Sequence, residues 1–140
     1  MSTWLQTEAE RAFGRASRAR RRAMLACRML RRCCCAGLVV ADGASAPRPA
    51  GRGVREILLS EITGTLEPNR AAQFDPAFRP APIARERWQR LWLAEARGAI
   101  LPPISVVPAG NGYAVRDGHH RVSVALARGA VSIDAVVSAR

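Results

Sequence analysis

Residues 101–137 read LPPISVVPAGNGYAVRDGHHRVSVALARGAVSIDAVV, and the order of signals along them sets the fold. Pro102 and Pro103 hold the backbone extended, so Ile104, Ser105, Val106 and Val107 are predicted to form a short strand. Asn111 and Gly112 form a tight-turn signal, after which Tyr113, Ala114, Val115 and Arg116 return as the second strand of a hairpin. Asp117 and Gly118 close that strand. A helix over residues 122–128 follows at once, with Val122, Ala125 and Leu126 on one face and Gly129 as its stop. The apolar run over 131–137 makes a final strand.

Upstream, residues 54–62 read as one strand carrying Ile57, Leu58, Leu59 and Ile62, closed by Gly64. A loop rich in proline and charge comes next, holding Pro68, Asn69, Arg70, Phe74, Asp75, Pro76, Phe78, Arg79 and Pro80. Its two phenylalanine rings are expected in the core, and its length inside a small domain points to a functional or partner-facing role. Over residues 83–97, Trp88, Leu91 and Trp92 recur at helical spacing and Gly98 ends the pattern. Trp88 and Trp92 are four apart, share a face and are expected to be core residues. The order strand, loop, helix, strand, strand, helix, strand predicts an α+β domain over residues 54–140.

The first third of the chain has a different character. Residues 1–41 read as a basic helical arm. Between positions 5 and 35 there is no proline and a single glycine, and Leu5, Ala9, Ala12, Ala16, Ala19, Ala23 and Cys27 keep a helical period. Arg11, Arg15, Arg18 and Arg22 keep the same period on another face. This alanine-rich stripe is expected to grip a core weakly. Residues 42–53, with Gly43, Pro47, Pro49, Gly51 and Gly53, read as a flexible linker.

Composition bounds the function. All 22 basic residues are arginine, against 11 acids, for a net charge of +11 in 140 residues. This balance favours polyanionic partners, and Arg11, Arg15, Arg18 and Arg22 are the candidates for neutralising nucleic-acid phosphates non-specifically. No apolar run is long enough to span a bilayer. Cys27 and the adjacent Cys33, Cys34 and Cys35 have neither a disulfide framework nor zinc spacing, and read as free thiols. The charged leader before residues 33–41 is too long for a signal peptide, so a cytoplasmic location is expected.

The Asp-Gly-His-His-Arg segment carries the chemistry. A helix starting directly after Gly118 leaves its first amide N–H groups without intrahelical acceptors, and the helix dipole adds positive potential there. Gly118 permits close approach of a ligand, Arg121 offers a forked guanidinium, and His119 or His120 can donate a hydrogen bond or exchange a proton. Asp117 is expected to cap the helix first of all, with magnesium binding or histidine orientation as rival roles. Arg121 has the alternative of pairing with Asp117 or Glu61. Adjacent histidines point about 100° apart on a helix, so no zinc site is expected.

Residues 101–137 resemble the ParB/sulfiredoxin superfamily, whose members run from a proline-preceded strand through a hairpin to a Gly-x-x-Arg phosphate-binding turn, a helix and a last strand. Gly118 and Arg121 match that motif. More weakly, residues 54–62 look like the first strand of the family, and residues 69–79 like the loop that closes over the nucleotide. The resemblance implies a small mixed sheet with packed helices and a nucleotide such as CTP or ATP held by Gly118, His119, His120 and Arg121, with Mg2+ as its companion. Sulfiredoxins carry a reactive cysteine immediately before His-Arg. Here His119 stands in its place, so sulfinic acid reduction is not expected. The sequence ends directly after the last strand, without the helix-turn-helix that follows in partition proteins. The expected function is therefore a stand-alone nucleoside-triphosphate-binding domain, with hydrolysis or phosphotransfer left open and Asp117, His119 and Glu61 as catalytic candidates. The alternatives are a DNA-binding accessory protein acting through its arginine-rich helix, a small-molecule kinase using Asp117 or Glu61 with magnesium, or a nuclease of the same superfamily.

Overall fold

The computed structural model describes residues 3–30, 37–41 and 53–138. Nearly all of the linker expected over 42–53 lies outside the described residues, as do Cys33, Cys34 and Cys35. The elements in chain order are α1 (Thr3–Met29), β1 (Val54–Leu58), β2 (Ile62–Thr65), α2 (Pro68–Ala71), α3 (Arg85–Ala96), β3 (Ile104–Ala109), β4 (Gly112–Asp117), α4 (His119–Ala127) and β5 (Ser132–Val137), with short 3-10 turns at Leu59–Glu61 and Pro82–Ala84. This is the α+β class the sequence predicts.

The strands form one mixed sheet in the order β1-β5-β3-β4-β2. β3 and β4 make the predicted antiparallel hairpin, but its loop is Gly110 and Asn111, one residue earlier than the Asn-Gly signal, because Gly112 already pairs with Ala109. α4 is the crossover that returns the chain to β5, which runs parallel to β3. The single strand expected over 54–62 is broken by the Leu59–Glu61 turn into β1 and β2, which lie on opposite edges of the sheet. The residues between Leu58 and Ile62 span at most about 14 Å, whereas the edges of a flat five-stranded sheet would stand about 19 Å apart. The sheet is therefore curled. Its edges are brought near enough for the Arg55 guanidinium on β1 to donate to the Tyr113 hydroxyl on β4 at 2.7 Å.

Residues 37–41, expected to belong to the arm, are part of the domain. The Thr65 amide donates to the Val39 carbonyl at 2.9 Å and the Ala41 amide donates to the Thr65 carbonyl at 2.8 Å, so this segment covers the outer edge of β2. Gly64 lies inside β2 and does not close it. A Cβ at that position would sit 2.3 Å from the Val39 carbonyl oxygen, so only glycine admits the covering segment.

The main core lies between the sheet and α4 and contains Phe74, Phe78, Ile104, Val106, Val115, Val122 and Ala135, together with Leu38 from the covering segment. Both phenylalanines are buried as expected. A second cluster docks α1: Ala12 and Phe13 meet Trp88 of α3 and Val124 of α4. The Phe13 and Trp88 rings meet edge-to-face at 5.5 Å, and the Trp88 indole N–H donates to the Ser123 hydroxyl at 2.9 Å. The weak grip anticipated for this helix is thus corrected by one aromatic anchor, with alanines allowing close approach around it. Trp88 is fully buried and Trp92 half-buried. Phe13→Ala is expected to cost about 3–5 kcal/mol and to release α1. Chemical denaturation and Trp88 fluorescence measure this, and an unchanged midpoint would mean that α1 does not depend on that ring.

Candidate functional site at the start of α4

Gly118 is the N-cap residue of α4, with φ 111° and ψ 23°, and no side chain caps the helix. The first bond within it runs from the Val122 amide to the Gly118 carbonyl at 3.0 Å. The amides of His119, His120 and Arg121 therefore precede the intrahelical ladder, as helix geometry requires. The positive φ favours glycine, and the space does so as well. A Cβ on Gly118 would lie 2.5 Å from a methyl carbon of Ile104, so this glycine serves the packing of β3 beneath the turn as much as any approach from outside.

Asp117 does not cap the helix. Its carboxylate, 72% exposed, accepts from the Arg121 guanidinium at 3.0 Å. Arg121 also donates to the Pro102 carbonyl at 2.7 Å and the Pro103 carbonyl at 2.8 Å. Three of its five N–H donors are thereby committed within the protein. The arginine expected to clasp a phosphate ties the start of α4 to the strand entering the sheet at β3, and it also lines the pocket at this helix terminus. Of the two pairings foreseen for it, the one with Asp117 forms. Glu61 sits in the turn between β1 and β2, beside Arg55 and Tyr113. That is the opposite end of β4 from Asp117, roughly 17 Å away at the rise of a strand. The fold does not bring Glu61 to the turn.

Both histidines lie in the first turn of α4, earlier than the helix expected from residue 122, and both are buried. The His119 Nε2 lies 2.6 Å from the Thr65 hydroxyl on β2, and the ring stacks near Phe74. The His120 ring meets Phe74 edge-on at 5.1 Å; it is 6% exposed and lacks a hydrogen-bonding partner among the described residues. The pKa of each is lowered to about 4. For His119 the cause is burial first and the Arg70 charge second, with Asp117 opposing. For His120 it is burial, then Arg87 and Arg70. Both imidazoles are thus neutral at neutral pH.

A cavity of about 270 Å³ opens at this helix terminus, lined by His119, His120, Gly118 and Arg121 and by three arginines from separate elements: Arg70 of α2, Arg87 of α3 and Arg116 of β4. Among the described residues none of these three has an ion-pair partner. Glu67 and the already paired Asp117 are the acids present. Sequence reading missed this trio as a site. Arg116 adjoins Asp117 and Arg70 lies in the loop, but only the curled sheet and the packing of α3 on α4 bring Arg87 to them. Of the nucleic-acid candidates on α1, Arg11 is paired with Glu8 at 3.0 Å, Arg15 borders a groove, and Arg18 and Arg22 are exposed.

Fold and site together define a small α+β domain with an arginine-lined pocket at the N-terminus of a crossover helix. The chain is similar to sulfiredoxin from Arabidopsis thaliana, known from a crystal structure, at 17% identity and a TM-score of 0.41, over 63% of this chain and 86% of that one. No family model matches the chain, and no curated protein matches it. Among the described residues no helix is long and apolar enough to cross a membrane.

A histidine kept neutral by burial binds fewer protons folded than unfolded between pH 6.5 and 4, so its contribution to stability is complete above pH 6.5 and falls away as the pH drops toward 4. The chain has two histidines, and their ring resonances are expected to titrate near pH 4 while the thermal midpoint declines over that interval. Ordinary titration near 6.5 would contradict the buried, arginine-flanked geometry.

Proposed function

We infer that the pocket at the start of α4 binds the phosphates of a nucleoside triphosphate, of which CTP and ATP are the first candidates, with Mg2+ accompanying the nucleotide. One observation carries the reading. Three arginines without ion-pair partners among the described residues and the His120 imidazole converge on helix amides that no side chain caps. Each of these groups favours an anion, and together they leave a local excess of positive charge that a phosphate would neutralise. The resemblance of the Gly-x-x-Arg turn to the ParB/sulfiredoxin superfamily supports a nucleotide as the source of that phosphate. At about 270 Å³ the cavity suits the phosphoryl groups, with base and ribose lying toward its mouth.

In this reading the phosphate ligands are the amides of His119, His120 and Arg121 together with Arg70, Arg87 and Arg116, while Arg121 positions the turn. Binding is better supported than chemistry. Glu61 is remote, Asp117 is paired and the His119 Nε2 faces Thr65, so a kinase or nuclease that relies on those carboxylates is disfavoured. His120, neutral and without a hydrogen-bonding partner among the described residues, is the residue best placed to exchange a proton if a hydrolase or phosphotransferase reaction occurs.

A second reading rests on α1. With Phe13 anchoring one face, Arg18, Arg21, Arg22 and Arg28 are exposed without ion-pair partners among the described residues. Such a face suits non-specific DNA contact. Affinity would then fall with log salt at roughly 0.9 per phosphate neutralised, and replacing these arginines by glutamine would flatten the slope.

Calorimetric titration with CTP, ATP and GTP, with and without Mg2+, tests the first reading. Arg87→Gln is expected to weaken binding roughly tenfold or more, about 1.4 kcal/mol or above, at an unchanged thermal midpoint. Arg121→Ala is expected to lower the midpoint as well, because it frees two proline carbonyls and Asp117. Failure of all three nucleotides to bind, or affinity indifferent to Arg87→Gln, would refute the reading.

A further inference from the structure

Apart from the α4 pocket, a half-open groove of about 580 Å³ lies between α1, the loop over residues 77–80 and the C-terminal half of α4. Its apolar surface comes from Ala16 and Ala19 of α1, Trp92 of α3 and Leu126 of α4, with the buried Phe78 of the loop bordering it. Three arginines border it, Arg15, Arg79 and Arg128, and among the described residues no acid lines it. It shares no residue with the α4 pocket.

The wall of the groove is built rigidly. Among the described residues Phe78 is the one non-glycine with positive φ, at 59°. It is held there because the buried Asp75 carboxylate accepts from the Ala77 amide at 3.0 Å and the Arg79 amide at 2.8 Å, and pairs with the Arg79 guanidinium at 3.2 Å. A bulky residue in the left-handed region persists only where its surroundings over-determine it, and such positions gather at ligand sites. On the opposite side Arg128 lies 5.2 Å over the Trp92 ring and pairs with Glu95, which fixes the indole as a flat panel. Arg79 and Arg128 are thus partly balanced by their acids. Arg15 has no ion-pair partner among the described residues and supplies the free charge at the mouth.

We propose that this groove binds a small anionic amphiphile, an aromatic or branched-acyl carboxylate, with its apolar body against Trp92, Leu126 and the alanines of α1 and its carboxylate at Arg15. The volume lies in the range of small-ligand sites, and an apolar surface with a few convergent cations is the pattern of such sites. A half-open groove with one aromatic panel, Trp92, suits a compact ligand rather than a long helix laid across a flat face. The charge complementarity sets the sign of the ligand.

The test uses 1-naphthaleneacetate, with 1-naphthaleneacetamide as its uncharged counterpart, titrated against the full chain by calorimetry and tryptophan fluorescence. Saturable binding of the carboxylate is expected, with the amide roughly tenfold weaker. Arg15→Gln should reduce the difference between them, and Ala19→Leu, which fills the groove, should abolish binding. Should Ala19→Leu disturb folding, Leu126→Trp blocks the same space from α4. Absence of saturable binding, equal affinity for acid and amide, or binding unaffected by both filling variants would overturn the proposal. So would capture of a glutamate-rich amphipathic peptide in place of the small acid, which would make the groove a protein-docking face.

Discussion

The three hydrogen bonds of Arg121 hold the rest of the site in place. Pro102 and Pro103 direct the chain into β3 but leave their carbonyls without partners in the sheet, and the guanidinium accepts that role for both while pairing with Asp117. The side chain of a residue in the first turn of α4 is thereby fastened to the start of the strand below. Because Asp117 is drawn sideways onto Arg121, no carboxylate is left to cap the helix, and its amides stay open at the pocket. The brace and the open helix terminus are two consequences of one arrangement.

The electrostatics of the site follow from that constraint. Arg121 is neutralised within the protein, so the positive potential at the pocket comes from Arg70, Arg87 and Arg116, delivered by three different elements. Burial, helped by Arg70 for both rings and Arg87 for His120, keeps His119 and His120 neutral. Arginines thus outnumber the lining acids Glu67 and Asp117 at the pocket. Burial of His119 against Thr65 and Phe74 anchors the turn, and both imidazoles line the cavity.

Much of this was legible in the chain. The proline pair, the hairpin signal and the Asp-Gly-His-His-Arg turn located β3, β4 and the start of α4, because each rests on local backbone chemistry. The Phe74, Phe78 and Trp88 core positions followed from their size and spacing. What could not be read depends on distant contacts. The break between β1 and β2 arises from curling of the sheet, and the membership of residues 37–41 in the domain arises from an unpaired strand edge. The docking of α1 turns on a single phenylalanine in an alanine-rich stripe. The bracing role of Arg121 was hidden for the same reason, since backbone carbonyls compete for a guanidinium and leave no mark in the sequence.

The most direct test of the account is an amide 15N titration of the full chain with pyrophosphate. The account predicts saturable downfield shifts concentrated at the amides of His119, His120 and Arg121, with the Arg87 side chain responding at the same ligand concentration. Silent amides at these three positions, with shifts confined to the arginines of α1, would contradict it.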